Sequence, residues 1–346
     1  MRSIGMVIVI AFIMFGFSIF YDDIVNPPEF NESPTEQTDS SPSENPNEDL
    51  KLPESGIQQF LQMNQEELLT KIGEPDRIDP TPYGYQWWIY DEDPDKYIQL
   101  GVDKGRVVTL FALGRDVDVS PLEIGQQRSE IEKKVKMNTK AKLEFDGNEY
   151  QFELTEEEMN TRPLVKLNGA WAQLYMDKFE KTLVGIRYLT PEILIMQRPY
   201  SLEYRGRLIE QPELAEKDWE EIQNAEELQI FTMTNVIRKQ YDVPALHWHE
   251  ETSQVAYGHS KEMNEENYFS HESPNTGSLS DRLNHQDIDY SQAGENIAAN
   301  YIDGIEAVIG WLNSEGHRKA MLNEEFTHLG VGVYERYYTQ NFIVPR

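Results

Sequence analysis

The chain has 346 residues, a formal net charge of −30 and no cysteine. Its length predicts two domains at the usual ~100–200 residues each, and 39% hydrophobic residues, including 18 Tyr, 14 Phe and 6 Trp, suffice for packed cores. The acidity repels phosphate backbones and anionic lipid headgroups, so nucleic acid is excluded as a partner and any membrane contact has to be a hydrophobic insertion. Zero Cys excludes disulfides, thiol catalysis and a thioether lipid anchor.

Residues 4–21 (IGMVIVIAFIMFGFSIFY) are uncharged, with Arg2 before them and Asp22 and Asp23 after. At ~1.5 Å per residue this run spans ~27 Å as a helix, close to a hydrocarbon core. Positive charge in front places the amino terminus in the cytoplasm and the rest outside. No Ala-x-Ala site follows, so residues 1–21 read as an uncleaved single-pass anchor, with a cleaved signal sequence and secretion as the alternative. Residues 22–56 carry ten acidic residues against one Lys among Pro, Ser and Asn, which predicts a disordered stalk.

A first domain is expected over 57–200. Apolar spacing predicts a helix over Gln65–Ile72, stopped by Gly73. Strands are expected at Tyr85–Tyr90, Tyr97–Val102 and Arg106–Leu113. The pattern then recurs: a short helix within Ile124–Val135, a hairpin over Leu143–Leu154 turning at Asp146-Gly147, and strands at Trp171–Asp177 and Leu183–Thr190. Each half reads as a helix followed by an antiparallel meander, an α+β repeat. Trp87, Trp88 and Tyr90 read as sheet core or as an aromatic ligand surface.

Residues 201–215 read as a polar connector, and a second domain is expected over 218–346. A helix is predicted over Trp219–Tyr241, capped by Asp218 and ended by Asp242-Val243-Pro244. A short extended piece around Leu246 and Trp248 and a helix from Glu250 to Asn267 follow. A further helix from Gly304 passes through Trp311 and breaks near Gly316. Two strand-like runs close the chain.

The order of motifs in this second domain resembles the CAP superfamily of cysteine-rich secretory, antigen 5 and plant pathogenesis-related proteins, its bacterial branch above all. The marks are Leu246-x-Trp248, Ala256-x-x-His259-Ser260-x-x-Met263, Tyr268-Phe269-Ser270-His271, Gly294-Glu295-Asn296-Ile297, Trp311-x-x-Ser314-x-Gly316-His317-Arg318, and Leu329-Gly330-Val331-Gly332-Val333 before Tyr337-Tyr338-Thr339-Gln340-Asn341-Phe342. The resemblance implies an α-β-α sandwich, and for the first domain the N-terminal region often joined to bacterial CAP domains. It also implies a cleft with His271, Glu295 and His317, lined by Ser270, Asn296 and Ser314. The family's second acidic position falls on Ser314, so the tetrad of two His and two carboxylates is incomplete here. Glu315 is one residue on, which turns it ~100° away on a helix.

Two imidazoles and a carboxylate can ligate Zn²⁺ or another divalent cation with water at an open position. They can equally form an acid–base group in which Glu295 orients one imidazole, or a structural polar network. His247 and His249 flank Trp248 at a spacing that could chelate on a strand, and solvent-facing strand positions explain them too. His259 reads as a helix-face contact, and His285 and His328 fall in polar loops. His271-Glu272 begins an H-E-x-x-H string that fails at Asn275, and no G-x-S-x-G elbow, P-loop or dinucleotide fingerprint occurs. Ser270 and Ser278 leave a Ser–His pair open. The reading places first a cell-surface binding module whose cleft takes a divalent cation and a small apolar or peptide ligand, with an unidentified protein or small molecule as partner. A metal-assisted hydrolase of peptide or wall polymer and a cell-surface interaction scaffold are the alternatives.

Overall fold

The computed structural model describes residues 55–167 and 170–346; the apolar run 4–21 and the acidic stretch to residue 54 lie outside the described residues. Helix α1 (Gln65–Ile72) begins where the Asn64 side chain accepts the Glu67 N–H at 2.9 Å and stops at Gly73, whose φ of 83° suits glycine. Strands β1 (Arg77–Pro80), β2 (Gln86–Tyr90), β3 (Ile98–Asp103) and β4 (Arg106–Ala112) follow. After α2 (Arg128–Lys134) comes the hairpin of β5 (Lys140–Phe145) and β6 (Asn148–Glu153). Its turn holds Asp146 at φ 50° and Gly147 at φ 73°, the backbone that an Asp-Gly pair favours. Helix α3 (Glu156–Thr161), with a Thr155/Glu158 capping box, leads into β7 (Leu164–Leu167), β8 (Ala170–Asp177) and β9 (Thr182–Leu189).

Seven of these strands form one antiparallel sheet in the order β1-β2-β3-β4-β9-β8-β7. The two meanders meet at β4 and β9, and the β5–β6 hairpin stands outside. Helix α4 (Pro191–Gln197) and β10 (Ser201–Arg205) complete this half. The start of the expected connector is thus a strand: β10 fills the free edge of β6, with Leu202 opposite Phe152.

Successive strand residues point to opposite faces, and here both faces are covered. Trp88 packs with Leu68 of α1 and Ile131 of α2. Trp87 packs on the other side, in a cluster with Tyr175, Ile230 and Trp311. At 2% and 7% exposure Trp87 and Trp88 are core, and the Tyr90 hydroxyl donates to the Gly73 carbonyl at 3.0 Å. The aromatic surface considered for an interaction scaffold is therefore consumed by packing.

The second half runs α5 (Glu216–Gln240), β11 (His247–Trp248), α6 (Glu250–Glu265), α7 (Leu279–His285), β12 (Tyr290–Ala299), α8 (Gly304–Leu312), α9 (Glu315–Met321), β13 (His328–Tyr334) and β14 (Tyr337–Pro345). Asp218 accepts the Ala215 N–H at 2.9 Å, so α5 starts three residues before the expected Trp219. The sheet order is β11-β13-β14-β12, with β11 parallel to β13 and the other pairs antiparallel. Helix α6 covers one face; α5, α8 and α9 cover the other. This is the α-β-α sandwich that the motifs implied. Leu329, Val331 and Val333 point into the core shared with α5. Gly330 and Gly332 between them face α6, where a Cβ would overlap the backbone of Ser253 and Tyr257. The glycines are what lets that helix lie flat on the sheet.

The two halves share one hydrophobic cluster, in which Tyr83, Tyr85 and Phe111 pack with Ile305, Val308 and Trp311. Polar groups cross the same boundary. Wholly buried Arg187 meets Asp303 at 2.6 Å, Gln229 donates to Asp79 at 2.8 Å, and the Tyr83 hydroxyl donates to the Ile302 carbonyl at 2.8 Å. Asp303 also caps α8 through the Glu306 N–H at 3.1 Å. Burying such charges is tolerable only while both partners stay in place.

Candidate metal-binding cleft

The candidate site forms along β12, the end strand of its sheet. Gly294-Glu295-Asn296 lies at its centre, and alternation sends neighbouring side chains to opposite faces. Glu295 points toward α7 and the α6–α7 loop; Asn296 points toward α9, where its Nδ2 donates to the His317 carbonyl at 3.2 Å and to Gln340 Oε1 at 3.1 Å. Gly294 is required because a Cβ there would stand 2.8 Å from the Phe326 ring.

His271 comes from the loop after α6. That loop is tied back by Glu262, which accepts from Ser273 Oγ at 2.6 Å and Asn275 Nδ2 at 2.8 Å. Burial opposes the Glu262 charge, but these bonds and one from Thr276 hold its carboxyl below the ordinary value. Buried His259 fixes the same loop from behind: its Nε2 bonds the Ser270 carbonyl at 3.0 Å. Ser270 Oγ accepts the Glu272 N–H at 3.0 Å, so this hydroxyl shapes the turn beside His271.

His271 Nδ1 stands 2.9 Å from Glu295 Oε1, and Arg282 of α7 donates to Glu295 Oε2. Arg282 also donates to the His271 carbonyl at 3.0 Å. Both carboxylate oxygens are engaged, and both the Glu295 and Arg282 side chains are about 5% exposed or less. Burial pushes the Glu295 carboxyl up, but the His271 bond and the Arg282 charge outweigh it and hold the group low. The carboxylate thus holds the His271 ring through Nδ1 and leaves Nε2 unengaged by Glu295. Arg282 was not legible as a site residue; its one signal was the Ser278-x-x-Asp281 capping box that starts α7.

His317 lies in the first turn of α9, its ring centroid 6.2 Å from that of His271. Burial, and to a lesser degree the His271 charge, push it down to about 4. It is therefore a neutral imidazole at pH 7. Ser314 precedes α9 as its N-cap residue without a side-chain cap bond. The helix break falls at Asn313-Ser314 rather than at Gly316. Glu315 pairs outward with Lys319 at 2.7 Å, as expected of a side chain turned away from the cleft.

The first half clasps this break. Asn313 Oδ1 accepts the Lys178 N–H at 2.7 Å, and its Nδ2 donates to the Met176 carbonyl at 2.8 Å. Arg318, next to His317, donates to Asp177 Oδ2 at 2.7 Å and lies over the rings of Tyr241 at 4.8 Å and Phe179 at 5.2 Å. The Tyr241 hydroxyl donates to the same Asp177 oxygen. Neither Asp177 nor Asn313 stands out in the sequence, because the groups they clasp lie 64 to 141 residues away.

His271, Glu295 and His317 therefore do meet at one end of the sheet. Among the described residues no three His, Asp or Glu side chains already stand in ligating geometry. One imidazole has its ring held by a carboxylate, and the other is neutral. The carboxylate itself is neutralised by Arg282.

Comparison with known proteins agrees with this architecture. Residues 61–200 match the family described as CAP-associated N-terminal, and residues 231–344 match the cysteine-rich secretory protein family. The chain is 45% identical over 343 residues, 99% of each protein, to the uncharacterized membrane protein YlbC of Bacillus subtilis. A crystal structure of an extracellular SCP-domain protein from Bacillus anthracis is 43% identical, with a TM-score of 0.81 over 90% of this chain and 100% of that one. A cysteine-rich secretory protein from Staphylococcus aureus is 26% identical, with a TM-score of 0.77 over 85% of this chain and 95% of that one. Among the described residues no helix is long and apolar enough to cross a membrane. With its helix-covered four-stranded sheet, the His271–Glu295 and His317 cleft and a seven-stranded domain fused in front, this chain belongs to the CAP (cysteine-rich secretory protein) family and carries the CAP-associated N-terminal domain.

Proposed function

We propose that the cleft binds a divalent cation, Zn²⁺ first, between His271 and His317, and uses the open positions for a small or peptide ligand on the outer side of a membrane. The observation that carries this reading is the imidazole pair itself: His271 has Nδ1 held by Glu295 at 2.9 Å, and His317 sits 6.2 Å away ring to ring. In this arrangement Glu295 serves as the outer carboxylate that orients a ligand, a role common beside metal-bound histidines. Water would complete the shell and leave exchangeable positions.

Binding is favoured over hydrolysis for a chemical reason. Glu295 is committed to His271 and Arg282, and Ser314 stands where the family has its second acid, so neither position supplies a carboxylate free to take a proton from water. The membrane side of the reading rests on the apolar run 4–21 behind Arg2, and on relatives described as a membrane protein and as an extracellular protein.

Calorimetric titration of the purified full-length protein with Zn²⁺ tests the proposal. His271→Ala and His317→Ala should each remove the heat assigned to the cleft while circular dichroism stays unchanged. Unaltered cleft heats in the double variant would overturn it.

A further inference from the structure

At the opposite edge of the same sheet, three of the chain's seven histidines come together. His247 lies directly beside His328 in the parallel β11–β13 register. His249 follows two residues later, on the same face, with its N–H bonded to the Leu329 carbonyl at 3.0 Å. The His247 and His328 rings are 5.4 Å apart and the His249 and His328 rings 5.7 Å apart. Backbone hydrogen bonds, not chance rotamers, hold the three Cα positions in this arrangement. With metal–nitrogen bonds of ~2.0–2.1 Å, two imidazoles on one tetrahedral ion place their centroids about 5 Å apart. The observed separations are close to that.

Two of the three rings also have an outer partner. His328 Nδ1 bonds Thr327 Oγ1 at 2.9 Å, and His249 Nδ1 bonds Thr252 Oγ1 at 2.9 Å. Each threonine hydroxyl can accept an Nδ1 proton, which leaves Nε2 as the outward lone pair. For His249 this replaces the longer cap contact from the Thr252 N–H at 3.3 Å. His247 is exposed, and His249 and His328 are half-exposed, so an ion can reach them. The three ligating nitrogens do not already converge. Closure requires the imidazoles to turn from their present orientations.

We propose that His247, His249 and His328 form a second cation site, a three-imidazole seat for a borderline transition metal of the Zn²⁺, Cu²⁺ or Ni²⁺ class. Three neutral nitrogens select that class over Mg²⁺ and Ca²⁺, which prefer oxygen. The bound ion ties the two-residue edge strand β11 and the first turn of α6 to β13. It therefore acts as a staple across the two-residue parallel pairing of β11 with β13.

The site is independent of the cleft, and the test keeps them apart. Full-length protein carrying His271→Ala and His317→Ala is titrated with Cu²⁺ alone and with Zn²⁺ alone. One equivalent should still bind, with nitrogen hyperfine structure in the Cu²⁺ spectrum and a rise in melting temperature. Adding His247→Ala and His328→Ala should abolish the binding and the rise. His249→Asn, which keeps an acceptor for the cap, should weaken the binding while α6 stays folded. No bound equivalent in the cleft double variant, or an equivalent that survives loss of His247 and His328 in a folded protein, would overturn the proposal.

Discussion

Replacing Asp177 by asparagine asks whether the first domain sets the geometry of the cleft. Asp177 is 0% exposed. Its Oδ1 accepts the Phe179 N–H at 2.7 Å and the Glu180 N–H at 3.0 Å, and its Oδ2 accepts Arg318 at 2.7 Å and the Tyr241 hydroxyl. An asparagine can keep the two amide bonds through its oxygen. Its NH₂ then faces two donors, and the Arg318 charge loses its nearest counterion. Breaking a buried pair from one side costs about 3–5 kcal/mol. Arg318 keeps Glu180 at 3.8 Å and its contacts with the Tyr241 and Phe179 rings, and its side chain is 14% exposed, which places the expected loss near the lower end, about 3 kcal/mol. Urea unfolding of wild type and Asp177→Asn measures it. In the same pair of proteins, NMR of the metal-free His317 ring reads the cleft. Loosening α9 lets water in, so His317 should move up from about 4 toward its ordinary value. The reasoning fails if stability falls by less than about 1 kcal/mol, or if it falls while the His317 ring is unmoved, because the clasp would then be glue without influence on the cleft.

Two further outcomes follow from burial. Glu227 on α5 accepts the Val333 N–H at 3.0 Å, and burial pushes its carboxyl up to about 8. A carboxyl raised in the folded state contributes stability that is complete below its unfolded value, near 4.5, and lost as pH rises through 8. The shift corresponds to about 4–5 kcal/mol across that window. Glu227→Gln keeps the acceptor and should gain on wild type progressively from pH 5 to pH 8 in denaturant titrations; parallel curves would sink this reading. Gly332→Ala sets a methyl group against the Tyr257 backbone and should destabilise by more than the ~1–3 kcal/mol typical of overpacking, because helix backbone cannot step aside. A melting temperature equal to wild type would show that α6 rides more loosely on the sheet than the structure shows.

Where the expected and observed elements coincide, the signal was local. Helix α1 runs over the span expected because Asn64 and Gly73 bound it from within the sequence. The Asp146-Gly147 hairpin follows from two positive-φ residues in a row. The shorter pieces β1, β7, α3, α4 and α7 are four to seven residues long, too short for an apolar period to show, although α3 and α7 each begin with a capping box. Strand β12 was missed although it carries Glu295. Its sequence YSQAGENIAA has little strand character, and pairing with β14 makes it one. Likewise residues 201–205 are polar enough to read as connector, and the edge of β6 makes them strand β10.

Composition and motif order by themselves determined the class of molecule: an acidic, cysteine-free chain with an apolar leading run, a repeat of helix and meander, and a C-terminal α+β domain with His271, Glu295 and His317 in its motifs. They did so because caps, turns and period-two alternation act over a few residues. Tertiary structure alone decided what those residues do. It paired Glu295 with Arg282 as well as His271, buried Trp87 and Trp88 on opposite faces of one sheet, clasped the helix of His317 from the other domain through Asp177, and gathered His247, His249 and His328 at one edge. Each of these depends on groups brought together by burial and strand pairing across long stretches of chain, and no local pattern encodes the partner.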